Sequence, residues 1–196
     1  MPQGRQAKIL TPRQETAILR YLDTTRYPER DVVIFLLSIK SGMRAREIAA
    51  LTWAMVTDGD GQVTDTIALE DRAAKGTSGR PIPMHPLLRE ALVTLHEKRG
   101  DQVQPELAVV YSERGTKMSA ATVRLWFHRL YQTLGMTGCS SHSGRRTFIT
   151  RAARKVSEVG GSVRDVQQLA GHASMQTTQR YIEGDSDAKR KLVRLV

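Results

Sequence analysis

The chain has 196 residues, a net charge of +10, 5% aromatic residues and one cysteine. That length suits one domain with a single core that buries roughly 70% of the unfolded surface. No apolar run can span a membrane, the polar and basic first ten residues lack the apolar stretch of a signal peptide, and Cys139 alone excludes internal disulfides and multi-cysteine zinc sites, so a reducing cytoplasm is the expected location.

The charge is unevenly placed. Residues 1–112 carry 15 basic and 14 acidic side chains, whereas residues 113–196 carry 15 and 6. A one-sided basic surface is the electrostatic footprint of a polyanion. Scarce aromatics argue against the stacking platforms that read single strands or RNA loops, which leaves double-stranded DNA as the expected partner.

Residues 1–10 read as a loose basic arm. Thr11, Pro12 and Gln14 supply an N-cap, a proline at N1 and a glutamine at N3, starting a helix with Ile18, Leu19 and Leu22 inward. Asp31 to Ser41 is apolar on nearly all sides and predicts a buried helix stopped by Gly42. A further helix follows from Met43, with Ile48 and Leu51 packed and Trp53 closing it; Arg44 is then held by the core with its tip outward, and Glu47 lies one turn on. Thr66–Leu69 and Arg80–Met84 read as short strands joined by a mobile turn over residues 75–79 that carries Lys75 at its start. Residues 86–99 form an amphipathic helix, 107–112 a strand in which Tyr111 packs, and Ser119 caps a helix ended by Gly135. His85, His96 and His128 are expected to be structural or solvent-facing. Gly184 ends the segment that holds Tyr181, and residues 185–196 form an amphipathic tail.

The chemistry-bearing residues concentrate from Ser140 to Glu183. His142 and Arg145 are spaced i, i+3, so one helical face can present both to a common anion. The guanidinium offers a planar fork to phosphate, and the imidazole can donate or move a proton near neutral pH. Gly171-His172 follows a second short helix, and Tyr181 lies nine positions further on. On one unbroken helix His172 and Tyr181 would sit on opposite faces, about 13.5 Å apart. They meet only if the backbone turns, and Ala173-Ser174, with Ser174 as N-cap, is where a turn is expected. No phosphate loop, dinucleotide fingerprint, zinc helix or serine elbow occurs, so neither a cofactor nor a metal is implied.

The ordered set Arg44, Lys75, His142-x-x-Arg145, His172 and Tyr181, with the surrounding words SGMRAREIAALTW, AKGTSGRPIPM, HSGRRTFIT and LAGHASMQTTQRYI, resembles the tyrosine recombinases of the phage integrase family. The resemblance covers nearly the whole chain, as the family's catalytic domain over residues 11–184. It implies a mainly α domain with a small antiparallel β-sheet, and metal-free, ATP-independent exchange of duplex DNA strands through a 3′-phosphotyrosine. By that resemblance Tyr181 attacks the scissile phosphate, and Arg44, Arg145 and His172 grip its oxygens. Lys75 protonates the leaving 5′-oxygen, His142 assists proton movement, and Glu47 supports Arg44. Arg46, Arg80, Arg124, Arg146 and Arg180 are expected to contact DNA. Arg146 stands where many members have histidine.

Most members also carry an N-terminal DNA-gripping domain, whereas only about ten residues precede the first helix here. The chain is either a natural single-domain member, like the fimbrial-switch recombinases, or an excised catalytic domain. A one-sided grip implies weak, salt-dependent binding and a tetramer that forms on DNA from monomers or weak oligomers, with the tail docked on a neighbour or packed on its own protomer. A type IB topoisomerase activity and a non-catalytic DNA-binding relative are the alternatives; a passive binder needs neither the tyrosine nor a mobile lysine.

Overall fold

The computed structural model describes residues 7–74 and 78–181. Eight α-helices and one two-stranded antiparallel sheet occur among these residues. The mainly α architecture with a small sheet is the one expected. None of the described helices is long and apolar enough to cross a membrane.

Helix α1 (Pro12–Leu22) begins with the expected capping box, in which Thr11 and Gln14 satisfy each other's exposed backbone amides. Helix α2 (Pro28–Ile39) starts three residues earlier than expected, because Pro28 supplies a ready-made first turn. Its Arg30 and Asp31 are buried as a pair, so charged residues could enter an otherwise apolar helix without an orphaned charge. Val33, Ile34, Phe35 and Leu37 are fully buried, and α2 is the central helix on which α1, α3 (Ala45–Ala50), α4 (Pro86–Arg99) and α6 (Ser143–Lys155) pack.

Strands β1 (Thr66–Leu69) and β2 (Arg80–Pro83) pair with Thr66 opposite Pro83 and Leu69 opposite Arg80. Ile67, Leu69 and Ile82 point into the core from this sheet. Lys75 lies outside the described residues, but Ala73 and Ala74 just before it are buried, so the base of the hairpin is anchored. The strand expected at 107–112 does not form. Ala108 bridges Thr52 and Tyr111 bridges Lys117, one residue at a time. Neighbouring Val109 and Val110 are both buried, which removes the alternation of a two-faced strand.

Helix α5 (Ala120–Thr133) is capped by Ser119 and packs on α3. The three histidines set aside as structural or solvent-facing do fall there. His85 caps α4, His96 stands edge-on to Trp53, and His128 is exposed.

Residues 7–10, expected as part of a loose arm, are held along α6. Leu10 is buried; its amide donates to Thr147 Oγ1 at 2.8 Å, and Arg146 Nη1 donates to the Ala7 carbonyl at 2.9 Å. Arg151 joins Leu10 to Glu15, and Lys40 also pairs with Glu15. Residues 1–6 of the arm, and the tail from 182 onward with Gly184, lie outside the described residues.

Helices α6, α7 (Val163–Ala170) and α8 (Met175–Gln179) form a smaller unit beside the main core. Ile149, Val166 and Ala170 are its buried centre, and Phe148 and Tyr181 pack against it.

Candidate active site

Arg44 is the N-cap residue of α3, following the break at Gly42. Its amide donates to Glu47 Oε2 at 2.7 Å and its Nη1 to Glu47 Oε1 at 2.8 Å. Glu47 is 1% exposed. Burial alone would raise its carboxyl pKa. The Arg80 charge, the Arg44 amide and the Arg44 charge outweigh burial and hold the pKa below the ordinary value.

Arg145 sits in the first turn of α6 and is 4% exposed. Its Nη1 donates to the Gly42 carbonyl at 2.5 Å and its Nη2 to the Ala170 carbonyl at 2.6 Å. Loss of water, then the nearby Arg44 charge, lowers its pKa to about 10, so it remains cationic at neutral pH.

Three successive carbonyls at the end of α7 collect three guanidiniums. Arg80 Nε donates to Leu169 at 2.8 Å, Arg145 Nη2 to Ala170, and Arg44 Nη2 to Gly171 at 3.1 Å. The last carbonyls of a helix have no partner within it and carry the negative end of its dipole. The end of α7 therefore holds the three forks in place, and Arg44 and Arg145 keep N–H groups to offer an anion. Gly171 makes the turn possible: its φ is +59°, and a Cβ there would meet Arg80 Nη1 at 2.5 Å.

The backbone reverses after Gly171, as expected. Ser174 takes the N-cap position of α8, although its side chain makes no capping bond. The turn brings the rings of His172 and Tyr181 face to face, with centroids 5.6 Å apart and planes 23° from parallel. An unbroken helix would have held them more than twice as far apart. His172 is 9% exposed and its Nδ1 lies 2.9 Å from Thr178 Oγ1. Burial, then the charges of Arg145, Arg44 and Arg80, lower its pKa to about 4, so the ring is neutral at working pH.

His142 is the N-cap residue of α6, exposed at the rim. Partial desolvation, then the charges of Arg145, Arg44 and Arg124, lower its pKa below the ordinary histidine value. With Ser140, Arg145, Arg146, Arg180 and Tyr181 it lines a cleft of about 390 Å³. Gly144 sets how deeply α6 can seat. A Cβ there would lie 2.9 Å from Ser38 Cβ, and closer still to Ser38 Oγ.

Thus Arg44, Glu47, Arg145, His172 and Tyr181 come together, and His142 stands at their edge. Arg46, Arg124 and Arg180 are exposed, and Arg146 is half-buried beside the cleft. Arg80, expected to contact DNA, has a side chain 8% exposed: Nε and Nη1 donate to Leu169, Glu47 and Ser78, and Nη2 is buried with no hydrogen-bond partner among the described residues, so protein encloses it in the free chain. A core carboxylate drew it inward. Sequence reading missed this because an arginine at the start of a strand carries no mark of its partner. Thr178 was also missed, being the second of two adjacent threonines, six residues past His172, with nothing in the sequence to mark it. Among the described residues no three metal-ligating side chains gather at one place.

The fold is that of tyrosine recombinase catalytic domains. The crystal structure of XerA recombinase superimposes with a TM-score of 0.72 at 22% identity, covering 100% of this chain and 68% of that one. XerH site-specific recombinase bound to palindromic difH substrate gives 0.74 at 19% identity, covering 97% and 53%. Residues 8–187 match the profile of the phage integrase family, and the chain belongs to that family. Tyrosine recombinase XerC of Corynebacterium glutamicum is 30% identical over 176 residues, which are 89% of this chain and 54% of the relative. XerC of Rhizobium meliloti is 29% identical over 91% of this chain and 54% of the relative. The chain thus spans about half the length of these relatives.

Proposed function

We propose that this chain is the catalytic domain of a site-specific recombinase that cuts and rejoins duplex DNA through a phosphotyrosine at Tyr181. The observation that carries this reading is the stacking of Tyr181 on His172 at the end of α7, where Arg44 and Arg145 are fixed by adjacent carbonyls.

The Tyr181 phenol attacks the scissile phosphorus, its proton passes to a neighbouring base, and the bond to the 5′-oxygen breaks. A phenol with a pKa near ~10 is a poor nucleophile at neutral pH, so the gain must come from stabilising the pentacoordinate phosphorane. Fixed donors from Arg44, Arg145 and His172 supply that stabilisation, each worth about 3 kcal/mol. Lys75 protonates the departing 5′-oxygen, and His142 at the rim serves proton transfer at the tyrosine. The phosphotyrosine keeps the bond energy, so a second 5′-hydroxyl reverses the step with no nucleotide consumed.

Arg46, Arg124, Arg146 and Arg180 bind the duplex backbone, and several protomers, four in the full assembly, act together on DNA. Support comes from relatives of the same fold: lambda integrase was crystallised as a dimer bound to a core site. The test is incubation with a pool of 5′-labelled nicked duplexes of random central sequence, followed by a denaturing gel. A covalent protein–DNA band that disappears in Tyr181→Phe supports the reading. No band from any sequence returns the chain to the class of passive DNA binders.

A further inference from the structure

Thr178 is fully buried, and its hydroxyl lies 2.9 Å from Nδ1 of His172. Among the described residues that nitrogen is the only partner of the hydroxyl. A buried hydroxyl must place its proton on an acceptor. Were Nδ1 protonated, it would point its own hydrogen at Oγ1 and leave the hydroxyl proton with no acceptor among the described residues. Hydrogen-bond satisfaction therefore selects the arrangement in which Oγ1–H donates to a bare Nδ1, and the single ring proton resides on Nε2.

We propose that Thr178 is a positioning residue for strand cleavage: it fixes His172 as the Nε2–H tautomer and leaves that N–H as the donor for the phosphate. The inference rests on the recombinase reading above, since it assigns a task within the same site. Two further contacts fit it. The His172 backbone is clamped on both sides, with its amide donating to the Gln167 carbonyl at 3.1 Å and its carbonyl accepting from Gln167 Nε2 at 2.9 Å. Thr178 also precedes Tyr181 by three residues, so one hydroxyl ties the donor to the segment that carries the nucleophile. Movement of that segment releases Nδ1 and the tautomer together, and donor and nucleophile are made ready as one unit. The neutrality of the ring, forced by burial beside three guanidiniums, is what makes its tautomer consequential.

The test has two arms. In the free protein, long-range nitrogen–proton correlation spectra of His172 are expected to show a bare Nδ1 and a protonated Nε2; a protonated Nδ1 overturns the proposal without any DNA present. Thr178→Val, which keeps the volume and removes the hydroxyl, is expected to give a mixture of tautomers. It should slow single-turnover formation of the covalent complex by about tenfold or more while DNA affinity stays within about twofold. Thr178→Ser restores both spectrum and rate. An unchanged rate in a folded Thr178→Val protein, or a folded serine variant as slow as the valine one, also overturns it. Should Thr178→Val fail to fold, the spectrum of the unaltered protein and the serine variant decide. If the unaltered protein forms no covalent complex, it is the recombinase reading that fails, and the spectrum still tests the tautomer.

Discussion

Arg44 and Arg80 share a single oxygen, Oε1 of Glu47, at 2.8 and 3.2 Å. One arginine caps a helix at the cleft and the other opens β2, five residues after Lys75 in the sequence, so the carboxylate couples two parts of the proposed site. Removing one partner from a buried ionic cluster leaves uncompensated charge, which costs about 3 kcal/mol or more. Glu47→Gln is therefore expected to lower unfolding stability by about that amount in urea titrations, and to slow covalent-complex formation because Arg44 loses its brace.

The enclosure of Arg80 separates it from the exposed arginines. Replacing a phosphate-contacting arginine lowers the slope of log affinity against log salt by about 0.9. Arg124→Gln is expected to show that change, whereas Arg80→Met is expected to leave the slope unaltered and to reduce stability and cleavage. Gel shifts at several salt concentrations measure both. A salt slope lowered by Arg80→Met would show that this side chain reaches DNA after all.

Gly144 lies between His142 and Arg145 and presses α6 onto α2 at Ser38. A methyl group there has no room, and overpacking of this kind costs about 1–3 kcal/mol. Gly144→Ala should lower the melting temperature and the cleavage rate together, because moving α6 outward moves Arg145. Ser38→Ala removes a hydroxyl that has no hydrogen-bond partner, so alone it should be neutral or stabilising, and it should partly rescue Gly144→Ala. A melting temperature unchanged by Gly144→Ala would contradict this packing.

The depressed pKa of His172 sets a stability window. In the unfolded chain the ring titrates near 6.5, and in the folded protein near 4. Between these values the unfolded chain binds a proton that the folded one excludes, so stability rises with pH there. The contribution is complete above pH 6.5 and is lost as pH falls toward 4. Denaturation curves from pH 7 to 4 should be steeper in pH for the unaltered protein than for His172→Gln, and an NMR titration should place the midpoint near 4.

Much of this molecule was legible before any coordinates. The capping box at Thr11 and the helix over residues 86–99 are set by neighbours a few positions apart, where caps and prolines act directly, and the β1–β2 pairing joins two segments separated only by one short connection. The proposed catalytic set was picked out in another way, through the order and spacing of its residues and their resemblance to a family. The start of α2 was misread although Pro28 marked it. The strand at 107–112 was misread because its pairing partners, Thr52 and Lys117, lie outside the segment itself.

By itself the sequence determined which side chains could serve a phosphate, and that the chain must turn between His172 and Tyr181 for them to act together. Only the tertiary structure decided where the guanidiniums are anchored, that Arg80 faces a carboxylate within the protein, and that a threonine holds the imidazole. The reason is one of range. Caps and turns depend on atoms a few residues apart, whereas the bonds from Arg44 to Gly171 and from Arg145 to Gly42 join residues more than a hundred positions apart. Contacts of that range exist only after α2, α6 and α7 have packed, and no local pattern encodes them.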